Sequence, residues 1–320
     1  MSQALRSRAE VLQLARLLRR NPAELDYLRE VPAEDVARLR EQVTDVLFGA
    51  HGHVLGRLAT ASKLLPIGVV ATIGERAFGP VLSARVAGLL EPPRAIEMAA
   101  KLPVGFLADV AVELDPRRAS DVIAGIPPAQ IAAITRELIA RGEHVTMARF
   151  VGYLRPEATS SAIAVMDDSA LLGVAFLLEP RDGLDELVEL LPPKRMHGIV
   201  DVVSREDLWP EALELVGSMN QPNRCRFAEL DAIQADGVLE TIVAVARERQ
   251  LWPHVLPLVP CLPESAMTRL GSIVRGLNLT DEEIGRLVGA AADEALREPV
   301  LQLATAAGLT ERLGPLAPAG

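Results

Sequence analysis

LDPRRASDVIAGIP, residues 114–127, recurs in outline three more times: LEPPRAIEMAAKLP from Leu90, LRPEATSSAIAVMD from Leu154 and LEPRDGLDELVELLP from Leu178. Each copy opens with Leu, one polar residue and Pro, and the starts lie 24, 40 and 24 residues apart, so a short and a long unit alternate and the pair returns every 64. Proline presets the first helical turn, where its missing N–H costs nothing, and the preceding leucine is placed to pack back on a neighbouring helix. Asp115 and Glu179 put negative charge at the positive end of the helix that follows. The spacing therefore predicts short helices that begin at the prolines and bury their Leu, Ala and Ile positions. The Asp and Arg positions vary between copies and are expected to face outward, where function is to be sought.

The 64-residue return extends in both directions. IPPAQIAAITRELIARGEHVTMARFVGYL from Ile126 is matched about one period later by LPPKRMHGIVDVVSREDLWPEALELVGSM from Leu191, at an offset of 65, which places Ile131 over Met196, Ile134 over Ile199 and Leu138 over Val203. Upstream, ARVAGLL from Ala84 matches ARFVGYL from Ala148. Downstream, Leu208-Trp209-Pro210 returns 43 residues later as Leu251-Trp252-Pro253, and a fainter copy places Ile284, Leu287, Val300, Leu301 and Leu303 where Leu239, Ile242, Val255, Leu256 and Leu258 stand. Units of this kind expose apolar faces that only neighbouring copies can cover, the condition that produces a stacked α-solenoid. The organisation expected is an N-terminal helical segment over 1–48, broken at Asn21-Pro22 and Val31-Pro32, repeated helical units over 49–306, and a flexible tail over 307–320.

Composition agrees with an all-α chain. Apolar residues make up 49% of the 320 and aromatics only 3%, so the core must come from Leu, Val, Ala and Ile. A formal charge of −10 argues against general nucleic-acid affinity, which rests on Lys and Arg neutralising phosphates. Lysine occurs only at Lys63, Lys101 and Lys194, leaving nearly all the positive charge to arginine, which favours fixed ion pairs and planar contacts. Residues 1–48 are balanced, eight acidic against eight basic, so the acidic excess lies beyond them. The arginines of the first helix, Arg6, Arg8, Arg16, Arg19 and Arg20, read as a solvated face rather than a docking arm for a partner or an anionic surface. Cys225 and Cys261 stand far apart with no CxxC or metal-ligand spacing, which makes a reducing, cytoplasmic compartment the default. The opening residues lack the apolar core of a signal peptide. Glu75, Arg76 and Arg85 interrupt the apolar stretch from Leu64 to Leu90, so it is not read as a transmembrane helix, and membrane association is not favoured.

In Leu114-Asp115-Pro116 through Ile126-Pro127, and in its copies over residues 90–205, the chain resembles the N-terminal cytosolic domain of MgtE-type magnesium transporters, which is related to middle-domain repeats of the flagellar motor switch protein. The resemblance implies a right-handed superhelix of short helices. The paired CBS domains and membrane pore that follow in those transporters have no counterpart in this sequence. It further implies a regulatory module without the channel, with magnesium as a candidate ligand, although no motif carries particular metal ligands over.

Candidate chemistry is sparse. His51-Gly52-His53 is the only close histidine pair, and two residues apart on a helix they diverge, so joint metal ligation would require a turn; a polar turn between units is the simpler reading. His144, His197 and His254 occupy different repeat positions and read as surface or partly packed residues. Asp167-Asp168, Glu206-Asp207 and Asp281-Glu282-Glu283 could attract magnesium, but carboxylates at helix starts cap free amides and face the positive dipole end, which accounts for them. Trp209 and Trp252 fall at equivalent positions, which predicts packing between units. No Walker A loop, GxGxxG, HExxH or GxSxG occurs. The chain is therefore expected to be a non-enzymatic helical-repeat module that binds a protein partner, with modulation by divalent cations left open. The alternatives are a magnesium sensor acting on a separately encoded transporter or enzyme, and a peripheral membrane protein.

Overall fold

In the computed structural model of the protein, which describes residues 3–18, 20–49, 52–62, 64–178 and 183–316, every regular element is a helix. The chain divides between Leu190 and Leu191 into two compact units. The first carries α1 (Gln3–Leu18), α2 (Ala33–Gly49), α3 (Gly52–Ser62), α4 (Ile67–Ile73), α5 (Gly79–Ala87), α6 (Pro92–Ala99), α7 (Val104–Glu113), α8 (Ser120–Gly125), α9 (Pro128–Ala140), α10 (His144–Phe150), α11 (Pro156–Ile163), α12 (Asp168–Ala175) and α13 (Leu184–Glu189). The second carries α14 (Pro193–Glu206), α15 (Trp209–Gly217), α16 (Gln221–Ala228), α17 (Asp231–Gln234), α18 (Asp236–Glu248), α19 (Trp252–Val255), α20 (Glu264–Gly276), α21 (Asp281–Ala290) and α22 (Glu294–Ala307). No described helix is long and apolar enough to cross a membrane.

The Leu-x-Pro segments start helices as their chemistry requires. Proline occupies the first turn of α6 and α11, and of a 3-10 turn at Pro116–Arg118. At that third site the helix is split, with α8 beginning only at Ser120, because Asp115 caps the tight turn by accepting from the Arg117 amide. Glu179 lies outside the described residues. Leu90 and Ala95 are buried in one core cluster, and their counterparts 24 residues on, Leu114 and Ala119, are buried in another. The repeat thus delivers the same two positions to successive parts of the core.

A recurrent stop accompanies the recurrent start. The helices α9, α14, α18 and α22 each end on a left-handed residue: Gly142, Asp207, Gln250 and Gly308. In each case the next amide reaches back five residues, Glu143 to the Leu138 carbonyl at 2.9 Å, Leu208 to Val203 at 3.0 Å, Leu251 to Ala246 at 2.9 Å and Leu309 to Ala304 at 2.8 Å. This closure satisfies a carbonyl that the helix end would leave orphaned. Two of the stops lead directly into Leu-Trp-Pro, and both tryptophans are buried, Trp209 at 5% exposed and Trp252 at 9%. Packing therefore accounts for their paired placement.

Arginine ties the turns together, which gives the scarcity of lysine a structural meaning. Arg149 donates to the Leu114 carbonyl at 2.6 Å, Arg226 to Leu191 at 2.7 Å, Arg275 to Ala307 at 2.9 Å and Arg312 to Leu279 at 2.9 Å. A planar fork can grip chain-end carbonyls across a gap of about thirty residues in sequence where an ammonium would give a single point charge. Alternate helices pack on one another, α5 on α7, α7 on α9, α9 on α11 in the first unit and α18 on α20, α20 on α22 in the second. The α20–α22 approach is close enough that a Cβ at Gly271 would lie 2.4 Å from the Ala306 carbonyl oxygen.

Two expectations change here. Cys225 and Cys261, 36 residues apart, form a disulfide with Cα atoms 4.9 Å apart, because α16 packs against the 3-10 helix Leu256–Cys261. Cysteine usage thus no longer argues for a reducing compartment. Residues 310–316, expected in a flexible tail from 307, form a 3-10 helix in which Leu313 is buried and Arg312 bonds both Leu279 and Asp281.

Candidate functional site

Arg8 and Arg20 lie on a solvated face as expected, while Arg16 turns to a partner and the opposite face of α1 is buried. Ser7, Ala9, Glu10, Val11, Gln13, Leu14 and Ala15 of α1 are all buried, so three polar side chains enter an otherwise apolar core shared with Leu25 and Val36. Buried polar groups must find partners. Ser7 donates to the Val31 carbonyl, and Glu10 accepts from Arg40 Nε of α2 at 2.9 Å in a pair only 6% and 13% exposed. Arg16 reaches Glu143, just before α10, at 2.5 Å. Burial opposes ionisation of Glu143, but the Arg16 guanidinium and the Thr146 hydroxyl hold it below the usual carboxylate range. Arg8 is exposed, and the side chains of Arg6 and Arg19 lie outside the described residues.

The organising motif meets these helices. Asp115, expected to face outward, is 7% exposed, because it accepts from the Arg117 amide at 3.1 Å and from the Arg117 guanidinium at 3.2 Å. Arg117 continues to Glu41 and Arg118 to Asp45, both on α2. Asp115 has here been turned inward, while Arg117 and Arg118 stay exposed, as expected of their positions, and link the motif to the N-terminal segment. Arg149 is the exception in this network. It donates to the carbonyls of Val112 and Leu114 at the end of α7, and among the described residues no carboxylate pairs with it. Burial pushes its pKa down to about 10, with Arg40, Arg16 and Arg117 adding to the effect and Asp115 opposing it.

Gln13, Arg40, Glu41, Asp115, Arg117, Arg149 and Tyr153 enclose a polar pocket of about 60 Å³. Gln13 Oε1 is buried there without a hydrogen-bond partner. Immediately beside it runs a larger space of about 200 Å³ whose wall is drawn from α3 to α13 and contains no ionisable side chain. Val151 belongs to both walls, and the chain passes from one to the other between Leu114 and Asp115 and between Met147 and Ala148. Neither a known protein family, a curated protein nor a solved structure matches this chain. The arrangement places a buried cation at one end and an apolar space at the other.

The other candidates are absorbed by structure. Asp167 caps α12 through the Ala170 amide. Glu206 and Asp207 lie at a helix end rather than a start: Glu206 closes α14, and Asp207 takes the left-handed stop, a conformation that a short acceptor side chain tolerates. Asp281 pairs with Arg312, and Glu282 with Arg286. Glu283 forms a capping box with Thr280 and pairs with Arg247 at 2.6 Å. Among the described residues, no group of three or more His, Cys, Asp or Glu side chains converges as a metal site. His51 lies outside them, and His53 is described only as part of α3. His197 bonds the Pro193 carbonyl, His144 sits beside Gly173, and His254 packs on Gly217, where burial lowers its pKa.

Arg247, then the Thr280 amide and hydroxyl, hold the Glu283 carboxyl down to about 2. A depressed carboxylate stabilises the fold fully above its unfolded pKa and loses that contribution as pH falls toward the folded value. Wild-type protein should therefore exceed Glu283→Gln in stability at pH 6, and the gap should close between the ordinary glutamate range and pH 2. Urea unfolding of both proteins across that range measures it; a constant gap would contradict the assignment.

Glu10 and Gln13 were legible as polar residues inside the apolar period of α1, one signal in the sequence that pointed at this site. Arg149 also carried a signal, since Ala148-Arg149 repeats Ala84-Arg85.

Proposed function

We propose that this chain is an α-solenoid, a right-handed superhelix of the kind its resemblance implies, and that it works as a non-enzymatic module that binds a protein partner. The packing of alternate helices within each unit supports the stacked arrangement. The observation that carries the interaction reading is the distribution of exposed large apolar side chains. Leu18, Tyr27, Leu39, Val46, Leu64, Leu65, Val69, Leu89 and Val104 are all exposed, and every such residue among those described precedes residue 105. Scattered apolar residues need no explanation, but here they are confined to the first third of the chain, and Leu64 is 87% exposed at the start of a local group with Leu65 and Val69. The magnesium-sensing alternative draws no comparable support from the described side chains.

Affinity capture from native lysate with wild-type protein and with Leu64→Ser/Val69→Ser tests the surface. The expected result is a partner retained by wild type and lost by the variant, with both proteins melting at the same temperature. A partner set unchanged by the substitutions would count against this surface.

A further inference from the structure

The polar pocket and the apolar cavity have been described separately, yet they share Val151 and adjoin at Leu114-Asp115 and Met147-Ala148. Two observations show that the polar end is unfinished. Gln13 is 4% exposed with an orphaned amide oxygen, and Arg149 is a buried cation that uses carbonyl partners only. Every other arginine around the pocket faces a carboxylate: Arg40 has Glu10, and Arg117 has Asp115 and Glu41. Among the described residues Arg149 is thus the one arginine of the pocket held only by neutral acceptors, and the pocket adjoins an apolar space.

We propose that the two spaces are the ends of one site for a straight-chain aliphatic carboxylate, its head between Arg149 and Gln13 and its chain running past Val151 into the cavity. With Glu41 and Asp115 on the same wall, a monoanion is accommodated better than a phosphate dianion, and a planar three-atom head suits the small pocket. Arg149 retains N–H donors beyond the two directed at Val112 and Leu114, enough for a charge-assisted bond. Rotation of the Gln13 amide presents Nε2 to the same space and supplies a second donor. The chain meets Leu114, Met147, Phe150 and Leu154, in a wall that is apolar but for the hydroxyls of Ser62, Ser83, Thr135 and Thr159. An engineered apolar cavity of about 150 Å³ stays dry and accepts benzene, so a space of about 200 Å³ free of ionisable groups is suited to hydrocarbon.

Calorimetric titration of the full chain with acetate, octanoate, decanoate and decan-1-ol, below micellar concentrations, tests the site. Decanoate should bind one to one, octanoate more weakly by about fourfold per methylene removed, acetate not detectably, and decanol at least tenfold more weakly than decanoate. Arg149→Met should reduce decanoate to the affinity of decanol while leaving decanol unchanged. Because Arg149 also holds two carbonyls, Gln13→Leu provides a second variant, expected to weaken decanoate selectively without touching those bonds. Absence of decanoate binding at millimolar concentration would overturn the proposal. So would equal affinity for decanoate and decanol, or decanoate binding undiminished in both variants.

Discussion

Reduction of the Cys225–Cys261 disulfide is expected to lower the stability of the 191–320 unit by about 4 kcal/mol. The closed loop spans 36 residues, and in the chain-entropy account a crosslink of that length removes freedom from the unfolded chain worth about 4 kcal/mol at room temperature. The folded side of the balance is set by packing that the bond joins. Phe227 and Ala228 of α16 and Leu256, Leu258 and Val259 of the facing 3-10 helix are buried, and Gln221 spans the contact by donating to the Pro257 carbonyl at 3.2 Å and to the Cys261 sulfur at 3.1 Å. These contacts remain after reduction, so the unit should stay folded but unfold at lower denaturant concentration. Urea unfolding with and without dithiothreitol gives the difference, and alkylation followed by mass measurement counts the thiols. Cys225→Ser/Cys261→Ser should match the reduced protein and be indifferent to reductant. A wild-type midpoint that reductant does not move, with both thiols alkylated, would show that the crosslink contributes nothing.

The pairing of these cysteines illustrates what sequence spacing conveys and what it omits. Periodicity predicted the helices, their proline starts and the buried Leu114, Ala119 and Ile123, because those are local consequences of a 3.6-residue turn and a fixed φ. It placed Trp209 and Trp252 in equivalent environments for the same reason. It did not reveal that Cys225 and Cys261 meet, since that depends on how far one helical layer is displaced from the next. Nor did it reveal the inward turn of Asp115. Between copies that position varies in character, which reads as exposure. In the structure, Asp115 is fixed by Arg117 and Arg118, which in turn reach Glu41 and Asp45 some seventy residues earlier. The N-terminal helices lie outside the repeat, so no periodic argument could anticipate their contact with it. Only the polar intrusions on α1, at Glu10 and Gln13, hinted that its apolar face met something charged.

That intrusion carries the other large effect. Glu10→Leu should destabilise the first unit by about 3–5 kcal/mol, the cost typical of removing one partner from a buried ion pair. Most of this is not the lost attraction. It arises because Arg40 keeps its charge in a site where its side chain is 13% exposed, without the carboxylate that faced it at 2.9 Å. The double variant Glu10→Leu/Arg40→Met removes both charges and supplies apolar volume, and it should recover most of the loss, since well-packed hydrophobic replacements for buried pairs are often neutral. Thermal unfolding of wild type, both single variants and the double variant forms the cycle. A double variant no more stable than the worse single variant would mean that the pair is held by contacts beyond charge, and that the N-terminal helices depend on these two side chains for their position as well as for their neutrality.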